Sequence, residues 1–350
     1  MLNYRNPIKR IVILRALSGL GDFLCVVPAW RSLRAAFPEA EIVLVGLASV
    51  KPLVERFHHY IDRLLVFPGY PGLPEVPAQL EKIPSFLTNV QNKNFDLAIQ
   101  MHGSGIITNP ITMLFGAKIN AGFFLPNQYC PDENSFLIHL ANQSEIRRYL
   151  RLLEFLGIPS QGEELEFPLK EEDKQALLAI EKVRDLNFGE YICLHPGAST
   201  PTRCWSPAGF AEVADALAAL GLSIVLTGSQ QEIQLTEKVA SMMKFPSINL
   251  AGCTNIGALA VLLQNARLLI CNDTGISHLA AALRVPSVVI FSQSDPQIWA
   301  PLDRQRHRIV RHTTDITKQA VITQAKDLLR SFPTSQRQQI TASKENIYVA

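Results

Sequence analysis

Short apolar runs rich in β-branched residues alternate along this chain with segments long enough to be helices, and this alternation restricts the fold more than any other feature. Arg10 to Leu14, Glu41 to Gly46, Asp62 to Phe67 and Phe95 to Gln100 read as strands, with helix-length stretches between them. After a polar stretch, Pro159 to Asp173, the alternation restarts with strands at Tyr191 to His195, Leu222 to Thr227, Leu268 to Asn272 and Ser287 to Phe291. Such a pattern builds parallel α/β sheets, and a strand as continuously apolar as Ser287 to Phe291 is expected where helices cover both sheet faces. Two doubly wound halves follow, over 1–165 and 166–330, with a polar tail over 331–350. A chain of 350 residues suffices for two domains of roughly 150, each with its own core.

Composition narrows the classes further. The chain has 33 basic and 31 acidic residues, a net charge of +2, with 47% hydrophobic and 18% charged residues. That excludes disorder and leaves no global field to draw nucleic acid, so any anion site has to be local. Six cysteines (Cys25, Cys130, Cys193, Cys204, Cys253 and Cys271) lack C-x-x-C spacing, and Cys193 and Cys271 lie in apolar runs where a thiol packs as a small hydrophobe. Neither zinc nor a disulfide framework is expected. The most apolar windows are broken by Asn265, Arg267 and Arg284 before 18 residues accumulate, so no membrane span is expected. The run Ile11 to Leu14 is stopped by Arg15 too early for a signal-peptide core, and the chain is expected in the cytoplasm.

Ligands of doubly wound sheets bind beyond the carboxyl ends of the strands, so two facing halves would place a site in the cleft between them. The turn after the first strand, Arg15-Ala16-Leu17-Ser18-Gly19-Leu20-Gly21-Asp22, has two glycines but lacks the third Gly and the later carboxylate of a dinucleotide fingerprint. Asp22 there is either the N-cap of a helix over Phe23 to Phe37 or a general base. The turn Asn272-Asp273-Thr274-Gly275-Ile276-Ser277-His278 opens a helix whose first amides favour phosphate, with Thr274 and His278 on one face; a capped helix with a satisfied histidine is the plain alternative. The loop His195 to Trp205 carries Ser199, Thr200 and Arg203, hydroxyls and a guanidinium fork suited to an anion, or is simply a polar loop. Thr227 to Glu232 follows another strand and would bring Glu232 to a ribose or base.

Other arrangements carry less. No D-x-D pair and no Cys/His cluster with ligand spacing is present, so no metal is expected. His102-Gly103-Ser104-Gly105 lacks the G-x-S-x-G elbow, which discounts a hydrolase triad. The helix around Arg147, Arg148 and Arg151 reads as an amphipathic surface.

Together these segments resemble the heptosyltransferase family of lipopolysaccharide glycosyltransferases. The resemblance runs in order from Ile11 to Leu14, Leu20-Gly21-Asp22 and Pro28, through His195-Pro196-Gly197-Ala198, Arg203, Trp205 and Thr227-Gly228. It closes with Asn272-Asp273-Thr274-Gly275, His278 to Leu283 and Asp295-Pro296. It implies a GT-B fold of two Rossmann-like domains. The first binds a lipopolysaccharide-core or related glycan acceptor, with Gly19, Gly21 and His102 in its cleft loops. The second binds a nucleotide sugar such as ADP-heptose through Ser199, Thr200, Arg203, Glu232, Asp273, Thr274, Gly275 and His278. By the same resemblance Asp22 is the base of an inverting, metal-independent transfer that needs no cofactor. Arg203 stands where the family commonly has lysine, and Phe291-Ser292-Gln293-Ser294-Asp295-Pro296 departs from the usual F-G-P-T-D-P.

A nucleotide-sugar epimerase of the same fold, which needs no acceptor, and a non-catalytic nucleotide-binding relative are the alternatives. A lipid-linked acceptor would bring the protein to the inner face of the membrane, where Arg5, Lys9, Arg10, Arg31 and Arg34 meet anionic lipid or are ordinary solvated ends.

Overall fold

In the computed structural model, which describes residues 7–184, 186–312 and 317–333, the apolar runs form two separate parallel sheets. The chain divides between Glu164 and Leu165. The first unit runs β1 (Arg10–Leu14), α1 (Leu20–Ala36), β2 (Glu41–Gly46), α2 (Lys51–Arg56), β3 (Arg63–Val66), α3 (Ile83–Gln91), β4 (Leu97–Gln100), α4 (Thr108–Met113), β5 (Ile119–Phe124), β6 (Phe136–Ile138) and α5 (Glu145–Phe155). Its strands lie in the order β3-β2-β1-β4-β5-β6, and Val12 of β1 sits between Val43 of β2 and Ala98 of β4. Ile11, Val12, Ile13 and Leu14 are all fully buried, as a central strand covered on both faces requires.

The second unit continues with α6 (Glu171–Leu178), β7 (Tyr191–His195), α7 (Pro207–Ala218), β8 (Ser223–Leu226), α8 (Ile233–Met242), β9 (Ser247–Asn249), α9 (Ile256–Gln264) and β10 (Leu268–Asn272). It ends with α10 (Gly275–Ala282), β11 (Ser287–Phe291), α11 (Pro296–Trp299), β12 (His307–Arg311) and α12 (Thr317–Ser331). The order β12-β11-β10-β7-β8-β9 is the first unit's order read from the other edge. Phe210, Leu217, Val239, Val321 and Leu328 of the helices pack on Ile192, Leu194, Ile270 and Ile290 of the sheet.

The interior strands fall where the apolar runs place them. Four strands, β5, β6, β9 and β12, go beyond the expectation. β6, β9 and β12 are edge or short strands whose outer residues stay partly exposed, so they lack the continuous apolar signature; β12 reads His-Arg-Ile-Val-Arg. Helix α1 starts at Leu20 rather than Phe23, with Gly19 as its N-cap in extended conformation, so Asp22 is the third helical residue and not the cap. Ser331 closes α12, and of the expected tail, residues 334–350 lie outside the described residues.

Two histidines are sealed in the second unit's interior: His278 on α10, 3% exposed, and His307 on β12, 2% exposed, with its Nδ1 2.9 Å from Ser287 Oγ. Burial pushes both imidazoles from 6.5 down to about 4. A depressed folded value means that the unfolded chain takes up the protons first, so stability is complete above pH 6.5 and falls towards pH 4. At about 1.36 kcal/mol per unit, the loss approaches about 3 kcal/mol per histidine below pH 4. Thermal unfolding followed from pH 7 to pH 4 should show the second unit's transition moving down within this window, whereas a flat profile would contradict the buried neutral state.

Candidate functional site

In each sheet the winding reverses at one pair of neighbouring strands, β1 and β4 in the first unit and β7 and β10 in the second. Helices leaving such a pair depart to opposite faces and open a crevice at the strands' carboxyl ends. The expected site loops follow these four strands: residues 15–22 after β1, His102 after β4, residues 196–205 after β7 and residues 273–278 after β10. Glu232 follows the neighbouring β8.

On the first unit, Asp22 keeps 30% of its side chain exposed. Burial pushes its carboxyl above the ordinary 3.8, with the Glu145 charge adding to this and the Arg15 charge opposing it. A Cβ on Gly19 would lie 2.3 Å from Asp22 Oδ2, so the carboxylate folds back into space that only glycine leaves free. Gly21 is a buried residue of the same helical turn. His102 is not an open loop residue. It is 5% exposed, its Nδ1 accepts the Ala16 amide at 3.3 Å, and its Nε2 lies 2.9 Å from Glu75 Oε1. With Nδ1 accepting, the ring proton sits on Nε2 and is donated to Glu75. Burial holds this imidazole below its usual value, so it braces the turn as a neutral group.

On the second unit, Asn272 ties the two loops together: its Oδ1 accepts the Trp205 amide at 2.9 Å and its Nδ2 donates to Pro196 O at 2.7 Å. Ser199 and Thr200 are exposed, and Arg203, Thr274 and Gly275 are half-buried. Thr274 is the N-cap of α10 and its side chain makes no cap hydrogen bond. Asp273 is buried and accepts the Ser294 hydroxyl; burial pushes its carboxyl up against that bond and the nearby Arg203 charge. Asp273 therefore anchors the loop after β11, within the segment Phe291 to Pro296. At the end of that segment Asp295 caps α11 by accepting the Gln297 amide at 2.9 Å. His278, expected to line the phosphate site, is 3% exposed and neutral, close enough to act on buried His307. Glu232 accepts the Ser229 amide at 2.6 Å through Oε2, 4.0 Å from His195 Nε2, and its Oε1 fills the place of a Cβ on Gly197.

These loops stand in a chain whose residues 83–328 match the family model described as glycosyltransferase family 9 (heptosyltransferase). The chain belongs to that family. It is 24% identical over 299 residues to lipopolysaccharide heptosyltransferase 3 of Escherichia coli, spanning 80% of this chain and 83% of that protein. It is also 24% identical over 312 residues to lipopolysaccharide heptosyltransferase 2 of E. coli K12, spanning 86% and 88%. Among solved structures, a family 9 glycosyltransferase from Veillonella parvula matches with a TM-score of 0.76 at 23% identity, covering 93% of this chain and 98% of that one. E. coli ADP-heptose lps heptosyltransferase II matches with 0.73 at 21% identity, covering 93% and 99%. The protein is thus a glycosyltransferase of the heptosyltransferase type with a GT-B fold.

Several groups at the family 9 site have no local sequence signal. Arg15, which interrupts an apolar strand on paper, is 3% exposed and bonds to the Asp22 carbonyl. Glu75 reaches His102 from 27 positions away. Arg148, expected on a solvated face, is also 3% exposed, because its guanidinium reaches the carbonyls of Leu140 and Gln143. Of the basic residues considered for a membrane surface, Arg31 donates to Gly162 O and Glu164 O, and Arg34 to Ala40 O and Asp62. Both are spent inside the fold, and Arg5 lies outside the described residues. Among the described residues no helix is long and apolar enough to cross a membrane, and no group of three or more His, Cys, Asp or Glu is placed to hold a metal ion.

Proposed function

We propose that this protein transfers heptose from ADP-heptose to a hydroxyl of a lipopolysaccharide-core or related glycan, with inversion at the anomeric carbon and without a metal ion. The observation that carries the reading is the Asp22 carboxylate, partly exposed in the first turn of α1 beyond the carboxyl end of β1 and raised above an ordinary aspartate by burial, in a chain of the heptosyltransferase family. A carboxylate of raised affinity for protons is what removal of a hydroxyl proton calls for. The donor is inferred from relatives: the E. coli heptosyltransferase WaaC has been solved with ADP and with ADP-2-deoxy-2-fluoro heptose.

In the proposed step, Asp22 takes the proton of the acceptor hydroxyl as its oxygen forms a bond to the anomeric carbon. The bond from that carbon to the nucleotide diphosphate oxygen breaks on the opposite side, which inverts the centre. Negative charge gathering on the departing diphosphate meets Arg203 and the backbone amides at the start of α10, oriented before the reaction begins. The acid group and the donor groups sit on separate units, and the reaction needs both to act on one pair of substrates. If the acceptor is lipid-linked, attachment at an anionic membrane face falls to Lys9 among these described residues, since Arg31 and Arg34 are tied inside and Arg10 donates to Lys93 O.

Asp22→Asn should lower kcat by about 100-fold to 10,000-fold while leaving the affinity for ADP unchanged, measured by turnover and by titration calorimetry. Product read by NMR should carry the inverted anomer. Rates should survive a chelator, and donor incubated alone should come back unaltered; altered free sugar would point to epimerisation instead. Gly19→Ala places a methyl in the space of Asp22 Oδ2 at a backbone angle alanine tolerates, so the fold should hold while kcat falls by about 100-fold from the displaced carboxylate. Full activity in Gly19→Ala would remove Asp22 from the reaction.

A further inference from the structure

Behind the Asp22 turn, a line of buried polar side chains joins α1 to α5. The Arg15 guanidinium donates to the Asp22 carbonyl through Nη2 at 2.6 Å and Nε at 3.2 Å, and its Nη1 donates to Met101 O at 2.7 Å and to the Tyr149 hydroxyl at 2.6 Å. Its Nη2 also lies 3.9 Å from Asp22 Oδ1. Tyr149, 2% exposed, passes its own hydroxyl proton to Glu145 Oε2 at 2.8 Å, and Glu145 Oε1 is 2.9 Å from Arg148 Nε. Burial holds the Tyr149 phenol well above its usual range, so it remains a donor throughout the working pH range. The proposed mechanism uses none of Arg15, Tyr149 and Glu145.

We propose that Tyr149 and Glu145 are positioning residues for Asp22: the chain from the Glu145 carboxylate through the Tyr149 hydroxyl to Arg15 fixes where the guanidinium charge stands beside the Asp22 carboxylate, and thereby the pH at which that carboxylate takes a proton. The inference rests on Asp22 being the base. An arginine is always charged and carries its donors in a rigid fork, so once each arm is bonded the charge cannot wander. The Tyr149 link is the arm that reaches another helix. Its loss would leave the buried Nη1 with Met101 O as its acceptor, while Nε and Nη2 stay on the Asp22 carbonyl, and so loosen the placement of the charge without releasing it.

The charges acting on Asp22 come from three elements. Arg15 after β1 favours its ionised form, Glu145 on α5 disfavours it, and His102 after β4, held by Glu75, favours it once protonated at acid pH. Arg148 partly offsets Glu145 from the side away from Tyr149. The opposite signs of Arg15 and Glu145 mean that disturbing each should move the titration in opposite directions.

The test is the acid limb of the kcat/KM profile in three variants, with ADP affinity and thermal stability followed in parallel. Tyr149→Phe should move the limb to higher pH by about half a unit to one unit and lower kcat several-fold, with donor KM unchanged. Glu145→Gln, which keeps an oxygen to accept the Tyr149 proton, should move the limb to lower pH by a similar amount. If Tyr149→Phe does not fold, Arg15→Lys, which keeps the charge and loses the fork that Tyr149 holds, should move the limb to higher pH in its place. A purely structural role would lower stability in both and leave the limb in place, which overturns the proposal. Asp22→Asn separates the two readings. A limb that survives in Asp22→Asn overturns the base assignment itself, whereas a limb lost there but unmoved in the other two variants overturns the positioning role only.

Discussion

Every pairing in both sheets is parallel, and that single constraint organises the molecule. Parallel strands cannot be joined by tight turns, so each connection must climb over the sheet, and all carboxyl ends open on the same edge. Placing β1 beside β4 and β7 beside β10 then sends successive crossovers to opposite faces. Residues far apart in sequence arrive at one rim as a consequence, as the hydrogen bond from the Ala16 amide to His102 records across 86 positions. The rim exists because of topology; its chemistry depends on which side chains the loops present.

Those loops deal with charge differently in the two units. In the first, ionisable groups are packed beneath the turn, bonded to backbone carbonyls as well as to one another, below the partly exposed Asp22 carboxylate. In the second, buried acid and imidazole lie below a rim of hydroxyls, backbone amides and a half-buried arginine. In the proposed transfer a nucleophile's proton and a departing diphosphate make opposite electrostatic demands.

Much of this was readable from the chain. β1, β2, β7, β10 and β11 occupy the residues that their apolar runs mark, because a strand covered on both faces has no freedom to be polar. The candidate loops, with their glycines, hydroxyls and charges, directly follow such strands as expected. The edge strand β12 was not, since one open side tolerates Arg308 and Arg311. The start of α1 was misjudged by three residues, because an extended glycine can cap a helix without a side-chain signal, and Asp22 changed from a cap candidate to an interior position of the first turn. Least legible were Arg15 and Arg148. Alone, each reads as a solvated charge; their burial depends on acceptors such as Met101 O and the Tyr149 hydroxyl, 86 and 134 positions from Arg15.

Arginine at position 203 has a consequence of its own. Its charge is felt by buried Asp273, which in turn holds the loop bearing Ser294. A lysine, the commoner choice in the families this sequence resembles, offers one compact ammonium that must divide itself between a fixed acid and an arriving anion. A guanidinium spreads its charge over a planar fork of N–H groups. The bond from Ser294 to Asp273 thus lies in the field of an arginine that the proposed transfer also turns towards the diphosphate, so the loop beyond β11 feels a change at residue 203 through charge.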